Sequence, residues 1–182
     1  NKAEIVDSIP LRNSFGEKIS GRVIPKGLLG TTGEIPLNFD MSRLNNDIDG
    51  LDTEGIAVDK NGNFWLCDEY GPFIVKADKH GKIIEKYGPK EGLPEILKYR
   101  VPNRGFEGIT IDEKGYVYTA VQSPLDINGE TKKTAGYTRI IKFNPETKES
   151  VMYAYPVDKG YKNFGAAKIG DICSVGNGKF LV

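Results

Sequence analysis

The sequence predicts an all-β protein built from repeated four-stranded antiparallel units, and three observations carry this prediction. The chain has 22 glycines and 10 prolines among 182 residues, and these separate short runs rich in Val, Ile, Tyr and Phe. Such punctuation favours strands over helices. A sustained apolar pattern at helical spacing is almost absent, and the best exception, residues 93–99, predicts at most a short helix with Pro94 in its first turn. The third observation is an internal repeat.

The repeat relates residues 54–66 to residues 107–119 without a gap, at an offset of 53 residues. Each copy predicts a strand, a turn that begins with Asp and ends with Gly, and a returning strand. Two more strands are predicted after each pair, at 73–78 and 82–87 in the first copy and at 138–144 and 150–155 in the second. Four antiparallel strands per copy are typical of a β-propeller blade.

A third copy opens near residue 170 and reaches Val182 within its second predicted strand. A closed ring takes roughly four to eight blades, so we expect an incomplete set of blades, a fragment of a protein roughly twice this length. The chain also opens on Asn1 rather than Met, and we expect its natural start to lie elsewhere. The predicted organisation is one propeller domain with an irregular N-terminal segment carrying candidate strands at 4–9 and 19–24 (1–52), a first blade (53–101), a second blade (102–157) and the start of a further blade (165–182).

Composition excludes several classes of partner. Lys plus Arg and Asp plus Glu both total 25, so no overall charge selects nucleic acid or an anionic membrane. No apolar run approaches the roughly 20 residues that span a bilayer, which predicts no membrane insertion. The oligomeric state stays open. Cys67 and Cys173 lack zinc or redox spacing, and we expect two buried thiols, with a long-range disulfide as the alternative.

Acidic residues recur where the innermost strand of each predicted blade begins. Glu54 and Glu107 hold equivalent positions, and Asp171 is displaced by one residue in the third copy. Innermost strands line a propeller's channel, so these carboxylates are expected to converge and either share protons or bind a cation. Hard oxygen ligands favour calcium. The alternative is that these acids accept backbone N–H groups or pair with Arg104.

Asp68 and Glu69 follow the second strand of the first copy, whereas the second copy has Val121 and Gln122 at the aligned positions. Divergence beside a shared scaffold is where a site is grafted. We therefore predict Asp68 and Glu69 as catalytic residues, a general base or ligands. The alternative is a solvated acidic turn.

Arg100 and Arg104 lie close in sequence to the repeated acid Glu107. The planar guanidinium group suits two-point contact with phosphate or carboxylate, so both are predicted to bind substrate, with ordinary ion pairing as the alternative. With Lys98 they make three basic residues, too few for nucleic acid. A serine hydrolase is poorly supported because the only histidine, His80, lies in a predicted outer turn.

Several unusual strings, in order, resemble the phytase-like family with esterase-like activity. They are LDTEGIA (51–57), FWLCDEYGP (64–72), GLPEIL (92–97), PNRGFEG (102–108), QSPL (122–125) and IGDI (169–172). The resemblance covers residue 40 to the C-terminus. It implies a secreted or periplasmic bacterial propeller that acts on phosphate or carboxylate esters. The Glu-Gly pairs at 54 and 107 also resemble those of gluconolactonase-type propellers, which implies calcium ligation by Glu54 and Glu107.

Two functional hypotheses follow. In the first, Glu54, Glu107 and Asp171 bind calcium, Arg100 and Arg104 neutralise a small anionic ester, and the protein is a metal-dependent hydrolase with its site at the channel mouth. In the second, the same mouth belongs to a non-catalytic propeller that binds a ligand or protein, and calcium is structural.

Overall fold

A computed structural model describes residues 2–182, and it is built almost entirely of strands. Three short 3-10 helices lie between them, at Glu95–Tyr99, Ile127–Gly129 and Phe164–Ala166. None of the helices in residues 2–182 has the length and hydropathy that a membrane span requires. The strands are β1 (Thr53–Val58), β2 (Phe64–Asp68), β3 (Phe73–Ala77), β4 (Ile83–Pro89), β5 (Gly92–Leu93), β6 (Phe106–Ile111), β7 (Val117–Val121), β8 (Tyr137–Phe143), β9 (Ser150–Pro156), β10 (Cys173–Gly176) and β11 (Lys179–Leu181).

The strands form two blades and the opening of another sheet. Blade one has the antiparallel order β1-β2-β3-β4, with the two-residue β5 added in parallel to β4. Blade two has the order β6-β7-β8-β9, and β10 and β11 form a separate hairpin. The predicted all-β propeller fold is confirmed.

The two blades repeat in register as well as in sequence. Ile56 faces Leu66 across β1 and β2, and Ile109 faces Thr119 across β6 and β7, both at the 53-residue offset. Each pair also carries an irregularity at its start, between Thr53 and Gly55 in blade one and at the corresponding step in blade two. The sequence repeat is therefore a structural repeat of whole strand pairs.

Innermost strands of successive blades lie side by side, and glycine permits their close approach. A Cβ atom on Gly55 would lie 3.0 Å from the backbone nitrogen of Ile109. A Cβ atom on Gly108 would collide with the backbone of Asp171 and Ile172. Each Glu-Gly pair thus combines an acidic side chain with the contact that packs one blade against the next.

The main hydrophobic core fills the space between the two blades. Its centre is aromatic: Tyr87 lies 4.4 Å from Phe143 between ring centroids, and Trp65 stacks on Tyr87 at 6.3 Å. Leu97 of the 3-10 helix Glu95–Tyr99 is fully buried in this core. The short helix predicted there is therefore a 3-10 helix, and Pro94 immediately precedes it.

The N-terminal segment covers the other face of blade one. Ile24 and Leu51 pack against Leu66, Phe73 and Val75 of the blade. Residues 4–9 and 19–24, the candidate strands, form no strand. A strand needs a paired neighbour, and the bridges nearest to these ranges, from Arg12 to Lys18 and to Lys82, are isolated single-residue bridges.

Both cysteines are free thiols in the described chain. Cys67 is buried, and burial raises the pKa of its thiol to about 12. Cys173 is exposed. The expectation of a buried thiol therefore holds for Cys67 and is wrong for Cys173, which is the first residue of β10.

Candidate active site at the mouth of two blades

Three carboxyl groups meet at the end of blade one where β1 begins and β2 ends. One oxygen from each of Asp52, Glu54 and Glu69 lies within 4.8 Å of the others. Antiparallel pairing places them together, because Asp68, the last residue of β2, lies opposite Thr53. The backbone nitrogen of Glu69 also donates to the carbonyl of Asp52 at 2.8 Å. We call this end of the blades the mouth.

Glu107 of blade two completes this group, and we call Asp52, Glu54, Glu69 and Glu107 the acidic cluster. The carboxyl groups of Glu69 and Glu107 are hydrogen-bonded to each other. Burial and this hydrogen bond raise the pKa of Glu69 to about 8. Burial also raises the pKa of Glu107, although the nearby charge of Lys168 acts in the opposite direction. Burial and the proximity of these carboxyl groups therefore favour one proton shared by Glu69 and Glu107 over two charged carboxylates.

Gln122 lies against Glu69 and is its counterpart in blade two, 53 residues further along the chain. Its Nε2 atom donates to Glu69 Oε1 at 2.9 Å. Gln122 is 5% exposed, and its Oε1 atom has no hydrogen-bond partner within residues 2–182. The residue was absent from the predicted site, although its alignment with Glu69 was a signal that could have found it.

The loops at the mouth are tied together by the same backbone hydrogen bond in successive blades. The carbonyl of Glu69 accepts from Gly105 at 2.8 Å, and the carbonyl of Gln122 accepts from Ile169 at 2.9 Å. Each strand end is therefore held by the segment that leads into the next innermost strand. This arrangement explains why side chains from equivalent positions reach one another.

Asp68 holds the loop that carries the acidic cluster. Its side chain is fully buried, Oδ1 accepts from the backbone nitrogen of Asp52 at 2.6 Å, and Oδ2 accepts from that of Gly71 at 2.8 Å. Burial raises the pKa of Asp68 to about 7. Of the predicted catalytic pair, Glu69 lies in the cluster, whereas Asp68 lies beneath it and contacts backbone.

The two predicted substrate-binding arginines contact backbone carbonyls. Arg100 is 8% exposed, and it donates from Nε to Tyr70 at 2.6 Å and from Nη2 to Thr31 at 3.1 Å. Arg104 is half-buried and donates from Nη1 to Gly165 at 2.7 Å. Neither takes part in an ion pair in the described part of the chain. Both connect loops around the mouth, Arg100 to the N-terminal segment and Arg104 to the segment after blade two.

Asp171, the third predicted metal ligand, lies beside the acidic cluster and outside it. Its side chain is exposed, and Oδ1 accepts from the backbone nitrogen of Ile172 at 2.7 Å. It lies against Gly108, the residue after Glu107. The structure thus brings Glu54 and Glu107 to one mouth, adds Asp52 and Glu69, and leaves Asp171 at the border.

Two cavities lie at opposite ends of the blades. A cavity of about 210 Å³ borders the mouth and is lined by residues that include Gln122, Tyr155, Tyr161, Lys168 and Ile169. A larger one, of about 490 Å³, lies between the turns at the other end and is lined by polar residues that include Asp59, Asn61, Asp112 and Glu113. The acidic cluster is joined to the smaller cavity through Gln122.

Comparison with known families matches residues 1–182 to a phytase-like family whose description is "Esterase-like activity of phytase". The chain belongs to this phytase-like family. Membership confirms the resemblance seen in the sequence strings, and it covers the first forty residues as well.

The proteins to which this phytase-like chain is similar are longer than the chain itself. An uncharacterized secreted protein of Arthroderma benhamiae is 31% identical over 110 residues, covering 46% of this chain and 22% of that protein. A streptogramin B lyase structure has 19% identity and a TM-score of 0.40, and virginiamycin B lyase from Staphylococcus aureus has 17% and 0.39. Each structural comparison covers 75% of this chain and 36% of the other. The chain therefore spans about a fifth of the curated relative.

Proposed function

We propose that this phytase-like protein hydrolyses phosphate or related esters in a calcium-dependent reaction at the acidic cluster. The observation that carries the proposal is the meeting of four carboxyl groups from two blades at one mouth, two of them sharing a proton. Like charges persist at such separations when protons or a cation neutralise them. The family's esterase-like description supports an ester as the substrate.

The donor set of the cluster fits a calcium ion. Calcium takes oxygen ligands at about 2.3–2.6 Å, so two oxygens on one ion lie at most about 5.2 Å apart. The oxygens of Asp52, Glu54 and Glu69 lie within 4.8 Å of one another and meet this limit. Carboxylates bind metal in the deprotonated form, so binding would release the proton that Glu69 and Glu107 share.

The proposal assigns different tasks to the four acids. Asp52, Glu54 and Glu69 would hold the ion, and Glu107, freed of its hydrogen bond from Glu69, would accept a proton from the attacking water. A raised pKa suits Glu107 to this task, since a general base works best with a pKa near the operating pH. Calcium, when bound, would polarise the ester and lower the pKa of water. The sequence predicted Glu107 as a metal ligand and Glu69 as a general base or a ligand, and this proposal takes Glu69 as a ligand and Glu107 as the base.

Positive charge for an anionic substrate would come from the rim of the mouth. Arg104 uses one nitrogen on Gly165 and keeps further N–H donors, while Lys168 is exposed and close enough to Glu107 to affect its pKa. Arg100 is buried and donates hydrogen bonds to two backbone carbonyls. In this proposal Arg104 and Lys168 contact the substrate, Arg100 and Asp68 position the loops, and Asp171 contributes charge at the border.

We also propose that the protein is exported. Its relative from Arthroderma benhamiae is described as secreted. Extracellular calcium modules bind calcium with dissociation constants of about 10⁻⁴ to 10⁻³ M. A site of three carboxylates can provide an affinity in this range.

Calorimetric titration with calcium tests the site. The wild-type protein should bind calcium and release a proton, so that the measured heat changes with the ionisation enthalpy of the buffer. The double variant Glu54→Gln/Glu69→Gln should lose this binding, and Glu113→Gln, an exposed acid at the opposite end, should keep it. Turnover of phosphate and carboxylate esters, with and without chelator, then tests the reaction. Unchanged calcium binding in the double variant would remove the proposed site.

A non-catalytic binding propeller is the second candidate. This candidate is favoured because Asp68, Arg100 and Arg104 form hydrogen bonds with backbone groups, and such bonds stabilise the loops. Calcium binding that stabilises the protein without turnover of any tested ester would support it.

A further inference from the structure

The outer edge of blade two is a strand edge without a neighbour. β9 is the last strand in the order β6-β7-β8-β9, and within residues 2–182 no further strand or bridge pairs with it. Just beyond its two ends, Glu149 accepts from Asn144 at 2.8 Å and Val157 donates to Gly136 at 3.0 Å, between backbone atoms. Because antiparallel hydrogen bonds use every second residue, the odd-numbered residues of β9 bond to β8. The N–H groups that point outward belong to Ser150, Met152 and Ala154.

The corresponding edge of blade one is covered and charged. Arg12 of the N-terminal segment bridges to Lys82 just before β4 begins, and β5 pairs with the last two residues of β4. Between these contacts β4 carries Glu85 and Lys86. None of the seven residues of β9 is charged. Cover and charge keep strand edges from pairing with other chains, so β9 is open to a further strand.

We propose that β9 pairs with β9 of a second copy of this chain, antiparallel about a two-fold axis. All seven residues overlap when Tyr153 lies on the axis, opposite the same residue of the other copy. Val151 then lies opposite Tyr155, and the outward N–H groups meet outward carbonyls of the other copy. Val151 and Tyr153 are 54% and 48% exposed in the single chain, so pairing covers apolar surface. A surface that contacts itself in this way closes as a dimer.

Charges beyond the strand ends favour a second copy as the occupant of this edge. Lys148 lies two residues before β9, and Asp158 lies two residues after it. In the antiparallel dimer each Lys148 is therefore opposite Asp158 of the other copy, and opposite charges meet at both ends of the interface. A register shifted by two residues toward the preceding turn would instead place Asp158 opposite Glu146, a pair of like charges. Within one chain Lys148 lies 3.8 Å from Glu85 in an exposed ion pair, which is weak and leaves the lysine free to contact another chain.

A single strand pair makes a small interface. Stable interfaces bury about 1,200–2,000 Å², and seven paired residues bury less, so we expect a weak dimer that depends on protein concentration. β9 lies at the opposite edge of the blade from β6, whose first residues carry Glu107 of the acidic cluster. Pairing therefore leaves the mouth open, and the inference stands apart from the proposed function.

Sedimentation equilibrium over a range of protein concentrations tests the dimer. The wild-type chain should show a monomer–dimer equilibrium. Tyr153→Lys places two like charges on the axis and should raise the dissociation constant by about tenfold. Tyr161→Lys makes the same change at a 43% exposed tyrosine outside β9 and should leave the constant unchanged. A wild-type chain that stays monomeric up to about 1 mM, or a dimer that Tyr153→Lys does not weaken, would overturn the proposal.

An exchange of the flanking charges identifies the pairing strand. Asp158→Lys places each new positive charge opposite Lys148 and should weaken the dimer by about fivefold. The double variant Lys148→Asp/Asp158→Lys should restore it, and this recovery does not depend on how Tyr153→Lys folds. A double variant as weak as Asp158→Lys would overturn the register.

Amide hydrogen exchange supplies a readout from the wild-type chain itself. The outward N–H groups of Met152 and Ala154 should become protected as the protein concentration rises through the dissociation constant. Tyr161→Lys should show the same protection, and Tyr153→Lys should need a higher concentration. A dimer whose formation leaves the exchange of both amides unchanged would show that another surface pairs, and the proposal would fail.

Discussion

The two ends of the blades differ in how faithfully the repeat is kept. At the turn end, Asp59 and Asp112 share three hydrogen bonds, and Asp59 accepts in addition from Asn63 Nδ2 at 3.0 Å. Asp59 Oδ1 accepts from the backbone nitrogens two and four residues further on, at 2.8 and 3.0 Å, and Asp112 Oδ1 does the same at 3.0 and 2.9 Å. The second oxygen accepts from Trp65 Nε1 in blade one and from Tyr118 OH in blade two.

At the mouth the blades diverge in charge while their backbones agree. Blade one has buried Asp68 followed by Glu69, and blade two has buried Val121 followed by Gln122. The comparison teaches that one end of the repeat maintains the strand turns, and that the other end is where a single copy acquires ionisable chemistry.

The largest effect on stability is expected when Asp68, at the mouth of blade one, is replaced by valine, the residue at the equivalent position of blade two. Asp68→Val removes the acceptor of the buried Gly71 nitrogen and of the part-buried Asp52 nitrogen, which we expect to lower the free energy of unfolding by about 3 kcal/mol. Urea denaturation measures this loss. Glu113→Val, at an exposed site, should lower it by less than about 0.5 kcal/mol. Equal effects of the two changes would contradict the role assigned to Asp68.

Removing the repeated aspartates should have smaller and nearly equal effects. Asp59→Ala and Asp112→Ala each remove the acceptor of two turn nitrogens and one aromatic side chain, and each should lower the free energy of unfolding by about 2 kcal/mol. Parallel thermal and urea unfolding of the two variants measures the difference. A difference above about 1 kcal/mol would show that the repeat is not energetically equivalent at this end.

Calcium affinity should depend on pH because Glu69 must lose its proton. The pKa of Glu69 is raised to about 8, so the apparent affinity should rise by about tenfold per pH unit up to about pH 8 and level off above it. Titrations between pH 6 and 9 measure this slope. Glu113→Gln should preserve it, and a flat profile in the wild-type protein would exclude Glu69 as a ligand.

The same pKa fixes the sign of an effect on stability without metal. The ordinary pKa of a glutamate is 4.5, so between about pH 4.5 and 8 the unfolded chain loses this proton while the folded one keeps it. The contribution of Glu69 to the free energy of unfolding therefore falls as pH rises across that window. Glu69→Gln should flatten this part of the stability profile, as measured by urea denaturation at several pH values.

The smallest effect is expected when Gln122, at the mouth of blade two, is replaced by glutamate, the residue at the equivalent position of blade one. Gln122→Glu places another carboxyl group against Glu69, which should strengthen calcium binding by about threefold and weaken the metal-free protein. Calorimetry and thermal unfolding with and without calcium measure the two changes. Weaker calcium binding in this variant would show that the amide at this position is needed for the geometry of Glu69.

Much of the candidate site was predictable from the repeat. The 53-residue offset correctly predicted that Glu54 and Glu107 hold equivalent positions, and the divergence at the strand ends pointed to Glu69. Asp52 was missed because a residue before a strand carries no local sign of a site, and Gln122 was missed although the repeat aligns it with Glu69. Arg100 and Arg104 were predicted as substrate ligands, and the structure places their guanidinium groups on carbonyls from distant segments.

The sequence by itself determined the strand pairs, their turns and the period that makes them blades, because these depend on hydrogen bonds between residues close along the chain. Tertiary structure alone decided that Glu69 meets Glu107 and Gln122, which lie 38 and 53 residues away. Contacts of that kind depend on the rotation from one blade to the next and on the close approach that Gly55 and Gly108 permit. The physical reason is that a shared proton requires oxygens within hydrogen-bond reach, a distance set by how whole sheets pack.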